Sequence, residues 1–108
     1  MTTDELRDLC MDVAKAMKIA RANGMIVMEG DEYHWTELET GAGMDAVLGW
    51  LDERKVAVSL QNVPMLDTWA CNISRHMGDT IGKTYYGKSR HIAVLLAARE
   101  VARAEGLL

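Results

Sequence analysis

Residues 56–73 decide the fold, and they read VAVSLQNVPMLDTWACNI. Apolar residues take every second position on each side of a central turn: Val56, Val58 and Leu60, then Trp69, Cys71 and Ile73. A period of two is typical of half-buried strands. Pro64 cannot donate a hydrogen bond to a β-ladder, so it marks the turn. The stretch therefore predicts an antiparallel β-hairpin.

Three segments around this hairpin have the apolar spacing of helices. The first starts with a capping box, in which Thr2 is followed three residues later by Glu5, and it is expected to stop at residues 23–24, an Asn-Gly pair. The second covers about residues 44–54, after a glycine-rich break. The third covers about residues 89–106 and carries the longest unbroken apolar run, so it is expected to be the most buried helix.

Two further segments have weaker strand character. Residues 25–28 are β-prone and lead into the turn dipeptide Gly30-Asp31, so residues 33–36 are expected either to return as a second strand or to pack as an aromatic loop. The glycine-rich residues 76–88 predict a loop, with a short strand at residues 83–86 as a further element.

The resulting order is α, β(β), α, β, β, α, in one domain over residues 1–108. This order predicts an α+β protein: a three-layer α/β/α sandwich with three helices and a small, mostly antiparallel sheet. The alternative arrangement places all the helices on one face of the sheet. The longest apolar run, residues 92–98, is too short to span a membrane, and the acidic N-terminus lacks the basic start of a signal peptide. We therefore expect the protein in the cytoplasm.

Few residues are arranged for catalysis or metal binding. Cys10 and Cys71 have no CxxC partner, so both are expected to be reduced core residues. The three histidines, His34, His76 and His91, lie far apart and have no paired carboxylates nearby, which argues against zinc. We expect no enzymatic activity, no metal and no cofactor.

Charge is unevenly distributed along the chain. Residues 23–53 contain eight acids and no lysine or arginine. Six of these acids form a predicted partner-binding acidic face: Glu29, Asp31, Glu32, Glu37, Glu39 and Asp45. The alternative interpretation is that these carboxylates are simply solvated on loops and helix faces.

Residues 75–91 have the opposite charge balance and support a second hypothesis. Residues 87–91, GKSRH, open an alanine-rich helix and resemble the last helix of double-stranded RNA-binding domains. The candidate nucleic-acid or phosphate contacts are Arg75, Lys83, Tyr85, Tyr86, Lys88 and Arg90. Residues 78–84, GDTIGKT, are one residue short of a phosphate-binding P-loop, and a small nucleotide or ligand binder is the third hypothesis.

A wider resemblance covers residues 33–101. Tyr33 precedes a helix containing Ala46-Val47, a β-hairpin carries Trp69-Ala70-Cys71, and residues 92–99 form a helix of sequence IAVLLAAR. In these features the chain resembles the phage ABA-sandwich domain, a group of small phage and prophage proteins. The resemblance implies an α/β/α fold and a phage or mobile-element accessory role, and it carries no catalytic residues. The leading expectation is a non-enzymatic protein that binds a host or phage protein and inhibits a host defence complex, in the manner of an anti-CRISPR protein.

Overall fold

The structure is a computed structural model that describes residues 1–75 and 83–108. Its helices and strands follow the order α-β-β-α-β-β-β-α, which confirms the predicted α+β class and element order. The elements are α1 (Thr3–Ala16), β1 (Met25–Met28), β2 (Asp31–His34), α2 (Gly41–Glu53), β3 (Val56–Val63), β4 (Thr68–Arg75), β5 (Lys83–Gly87) and α3 (Arg90–Ala104).

Each helix begins directly after a residue whose side chain caps its first turn. At α1 the Thr2 hydroxyl accepts a hydrogen bond from the Glu5 amide, and the Glu5 carboxylate accepts one from the Thr2 amide. At α3 the Ser89 hydroxyl accepts a hydrogen bond from the Ile92 amide at 3.2 Å. Thr40 caps α2 in the same way. Each cap satisfies an amide that the first turn leaves without a partner.

The end of α1 differs from the expectation that it would run to the Asn-Gly pair at residues 23–24. The helix ends at Ala16, and Lys18 has a left-handed φ of 63°. The Lys18 amide donates to the Lys15 carbonyl, and the Ile19 amide donates to the Ala14 carbonyl. These two bonds form a Schellman motif that stops the helix without a glycine. The chain then runs beside β1, where the Val27 amide donates to the Ile19 carbonyl.

The predicted hairpin of residues 56–73 is present, and of the two alternatives after the turn at residues 30–31 the chain forms the return strand. β1 pairs with β2 in antiparallel register, with Ile26 opposite Tyr33 and Met28 opposite Asp31. The predicted return strand at residues 33–36 is shifted, because β2 ends at His34 and a 3₁₀ turn, Trp35–Glu39, follows it. β3, β4 and β5 form a separate antiparallel sheet in that order.

The three-stranded sheet has one covered face and one open face. Val58, Leu60, Cys71 and Ile73 lie on the covered face, where α2 packs against β3 and α3 packs against β4 and β5. Most side chains on the other face are exposed, among them Ser59, Gln61, Ser74, Thr84 and Tyr86. α1 packs against α3 and the 3₁₀ turn. Among the described residues, α2 and α3 therefore lie on the same face of the three-stranded sheet.

α3 is the most buried helix, as predicted. Seven of its residues are buried, and it lies so close to β5 that a Cβ added to Gly87 would come within 2.6 Å of the Ala93 amide nitrogen. Among the described residues, no helix is both long enough and apolar enough to cross a bilayer.

Candidate functional site

An open cleft of about 500 Å³ lies between the β1–β2 hairpin, the 3₁₀ turn and the start of α2. Three carboxylates of the predicted acidic face line it, from Glu29, Glu37 and Asp45. The remaining lining residues have apolar or aromatic side chains: Met28, Tyr33, Ala42 and Ala46. We call this concavity the acidic cleft.

Local backbone structure places each carboxylate. Glu29 and Gly30 have φ values of 53° and 85°, and they form the two-residue loop between β1 and β2. Two positive φ values in a row are typical of a type I′ turn, whose twist matches that of the paired strands. Asp45 lies in the first turns of α2, between Ala42 and Ala46.

Glu37 reaches the cleft because the 3₁₀ turn packs directly on α2. Its carbonyl accepts a 2.6 Å hydrogen bond from the Thr40 hydroxyl, which also caps α2. Gly43 lies against this turn, and a Cβ added there would overlap the Glu37 carbonyl oxygen and the Leu38 Cα. The close contact therefore requires glycine at position 43, and it fixes Glu37 relative to Asp45.

The acidic cleft is electrostatically uncompensated within the part of the chain that the structure describes. None of its lining residues is a lysine or arginine, and none of its three carboxylates takes part in an ion pair there. Three like charges on one concave surface attract counter-ions, and a cation entering the cleft would reduce their mutual repulsion. Tyr33 and Met28 add an aromatic ring and a polarisable thioether to the wall.

The other three predicted acids lie in three different places. Asp31 lies opposite Met28 and on the same face of the hairpin as Tyr33, but unlike these two residues it does not line the cleft. Glu32 lies opposite Val27 and points to the other face of the hairpin. Glu39 lies near Cys10, where its charge helps to raise the pKa of that thiol. The structure thus brings half of the predicted acidic face to one cleft and places Glu32 and Glu39 elsewhere.

The predicted basic contacts are also divided. Arg75 lies on the covered face of the sheet, and its Nη2 is 3.4 Å from the Glu105 carboxylate. Lys83 and Arg90 are exposed at the starts of β5 and α3. Tyr85 is partly buried, and burial together with the Glu100 charge raises its pKa. Of these four side chains, only Lys83 and Arg90 are therefore freely exposed.

Tyr86 and Lys88 do come together. Both line a shallow cleft of about 290 Å³ beside the start of α3, and Tyr86 is 58% exposed. An exposed aromatic ring next to an ammonium group is a combination that single-stranded nucleic-acid sites use. Of the P-loop-like stretch, residues 78–82 lie outside the described residues, and Lys83 and Thr84 belong to β5.

The remaining candidates for catalysis or metal binding are the two cysteines and the three histidines. Cys10 and Cys71 are buried, and desolvation raises their thiol pKa values to about 12 and about 11. His34 Nδ1 accepts a hydrogen bond from the Thr36 amide, and His91 is partly buried in α3. His76 lies outside the described residues. Within those residues no group of three His, Cys, Asp or Glu side chains is placed to hold a metal ion.

The sequence did not predict one charged cluster. Glu105 contacts two guanidinium groups, those of Arg54 at 2.8 Å and Arg75 at 3.4 Å, beside an open cleft of about 580 Å³. The three residues belong to the ends of α2, α3 and β4, and no spacing rule connects them. The only sequence signal was that Arg54 and Glu105 each follow the last turn of a helix.

No family model, curated protein or solved structure matches this chain. The resemblance to the phage ABA-sandwich domain therefore stays a prediction.

Proposed function

We propose that this protein is a non-enzymatic binding protein whose acidic cleft accepts a lysine or arginine side chain from a partner protein. The observation that carries the proposal is the convergence of Glu29, Glu37 and Asp45. They come from a hairpin loop, a 3₁₀ turn and a helix, yet they line one concavity without a cation of the described chain among them. Scattered solvated acids would not share a cleft.

The chemistry of the walls favours a long cationic side chain over a small ion. Met28, Ala42 and Ala46 offer apolar surface for the methylene stem of lysine or arginine, which packs well on such surfaces. Tyr33 offers a ring to a guanidinium plane, and a carboxylate accepts two parallel N–H donors from arginine. Among cationic side chains, arginine matches these groups best.

A partner that presents such a side chain would have a basic surface, as nucleic-acid-binding grooves do. The phage resemblance and the small acidic chain agree with a partner in a host defence complex, and inhibition would then follow from occupying its basic groove. Complementary charge would also speed the encounter between the two proteins.

The experiment is a titration of fluorescently labelled hexa-arginine followed by anisotropy. Replacing Glu29, Glu37 and Asp45 together by lysine should weaken binding at least about tenfold, since each exposed ion pair contributes about 0.2–1 kcal/mol and the reversal adds repulsion. The matched control replaces Asp8, Glu32 and Glu53 by lysine, which changes the net charge equally at exposed positions outside the cleft. Equal weakening in both variants would mean that only net charge matters, and the cleft proposal would fail.

A second candidate function is single-stranded nucleic-acid binding at Tyr86 and Lys88, favoured by their shared cleft. It predicts that a labelled oligonucleotide shifts in a low-salt gel and that Tyr86→Ala removes the shift. Tyr85→Phe is the control, because this partly buried ring packs against the hydrophobic core rather than facing solvent. No shift at low salt would exclude this candidate.

A further inference from the structure

β3 is a long edge strand of the three-stranded sheet. Within the described residues it pairs with β4 alone, so one row of its backbone amides and carbonyls has no ladder partner. The pairing with β4 continues without a bulge from Val56 opposite Arg75 to Val63 opposite Thr68. An edge of this kind can accept a further strand through main-chain hydrogen bonds.

β3 also lacks the features that normally prevent such pairing. Its sequence, VAVSLQNV, contains no charge and no proline. The opposite edge of the same sheet differs, because β5 has five residues and begins with Lys83. The smaller sheet carries Asp31 and Glu32 on β2. Lysine, other charges, short length and proline are the usual protections of sheet edges, and β3 has none of them.

We propose that β3 pairs with β3 of a second copy of this chain, antiparallel across a two-fold axis, to make one six-stranded sheet. The two-fold axis restricts the register. Residues directly opposite each other must point to the same face of the sheet, so the axis passes through a residue pair and not between two positions.

A register centred on Ser59 places each Ser59 opposite its counterpart, and it also sets Val58 of one copy opposite Leu60 of the other. Val58 and Leu60 are both partly exposed on the covered face, so this pairing matches apolar with apolar. In this register the already buried Val56 lies opposite Asn62, whereas a register centred on Leu60 would set the partly exposed Val58 opposite Asn62. The Ser59 register is therefore the better fit.

These features favour a second copy of this chain as the source of the added strand. β3 is uncharged along its length, so it meets its own sequence without like-charge contacts. The pairing closes after two copies, because it uses the β3 edge of each copy and leaves β5, which begins with Lys83, at both edges of the six-stranded sheet. The interface involves no residue of the acidic cleft, so the dimer and the proposed binding site can be tested separately.

The test measures mass by sedimentation equilibrium over a range of protein concentrations. The parent protein should rise toward twice its 12.0-kDa monomer mass. Ser59→Lys and Ser59→Asp should each weaken the dimer about fivefold, because each places like charges opposite one another at the axis. An equimolar mixture of the two variants should restore association, since lysine then faces aspartate.

The matched control is Ser74→Lys, on the same open face but on the central strand β4, which should dimerise like the parent protein. A parent protein that stays monomeric at all concentrations would overturn the proposal. A dimer that Ser59→Lys leaves intact would also overturn it. The same holds for a dimer that Ser74→Lys weakens as much as Ser59→Lys does, because the contact would then lie elsewhere. A mixture of the Ser59 variants that stays monomeric would contradict the two-fold pairing at this residue.

Discussion

Arg54 Nη1 donates a 2.8 Å hydrogen bond to Glu105 Oε2 across 51 positions of the sequence. The other oxygen of that carboxylate lies 3.4 Å from Arg75 Nη2. One carboxylate thus joins the ends of α2, α3 and β4. Arg54 also lies over the Trp50 ring, with its guanidinium carbon 4.5 Å from the ring centroid. Among the described residues, no other side-chain hydrogen bond or ion pair connects α2, α3 and the three-stranded sheet.

Replacing Glu105 by glutamine should lower the free energy of unfolding by about 1–3 kcal/mol, because two guanidinium groups would keep their partly buried positions without a counter-charge. Their side chains are 28% and 17% exposed. Urea denaturation measures the change. Glu100→Gln is the control: its pair with Arg103 is more exposed, and such pairs contribute less than about 1 kcal/mol. Equal losses in the two variants would show that the Glu105 cluster has no special stabilising role.

Two glycines of α2 should respond to alanine in opposite directions. Gly43→Ala should destabilise the protein by about 1–3 kcal/mol, since its Cβ would overlap the backbone of the 3₁₀ turn. Gly49→Ala should stabilise it by about 0.5–1 kcal/mol, because nothing lies within 4 Å of the added Cβ and alanine is the better helix former. Thermal unfolding of both variants measures this. A neutral Gly43→Ala would mean that the turn does not press on α2 as described.

The buried thiols should react slowly in the folded protein. Desolvation, aided at Cys10 by the Glu39 charge, raises the pKa from 9.0 to about 12, and burial raises that of Cys71 to about 11. Because the thiolate is the reactive species, an aromatic disulfide reagent at pH 8 should label neither cysteine quickly until guanidinium unfolds the chain. Rapid labelling of either thiol in the native protein would contradict its burial.

The same pKa shifts predict a loss of stability at alkaline pH. In the unfolded chain the thiols ionise near pH 9.0, while in the folded protein they stay protonated up to about 11 and about 12. The folded state therefore binds more protons above pH 9, and the free energy of unfolding should fall as the pH rises from there. Urea denaturation at successive pH values measures the slope, and Cys71→Ala should reduce it. An unchanged slope would mean that Cys71 ionises alike in both states.

Local signals explain most of what the sequence predicted correctly. The alternation in residues 56–73, the capping box at Thr2 and Glu5 and the cap at Ser89 each depend on neighbours within a few residues, and all three are present. The predicted end of α1 was wrong, because the apolar stripe continues past Ala16 while the backbone turns at Lys18. A lysine in a left-handed conformation has no sequence signature of its own.

The site was predictable only in part, for a related reason. The acid-rich composition of residues 23–53 indicated a charged surface, but the cleft depends on how the hairpin loop at Glu29 and the turn at Glu37 pack on α2. That packing follows from Gly43, whose importance appears only when the Glu37 carbonyl lies against it. The Arg54–Glu105 contact depends on tertiary packing in the same way, so no local pattern could reveal it.

The most direct test of the acidic cleft is an NMR titration of the protein with hexa-arginine. Binding at the cleft predicts shifts concentrated at the Tyr33 ring and at the methyl groups of Ala42 and Ala46, which fade as salt screens the carboxylates. The variant with lysine at positions 29, 37 and 45 should show none of these shifts. Shifts spread evenly over exposed acids such as Asp8, Glu32 and Glu53, with Tyr33 unaffected, would contradict a cationic site in this cleft.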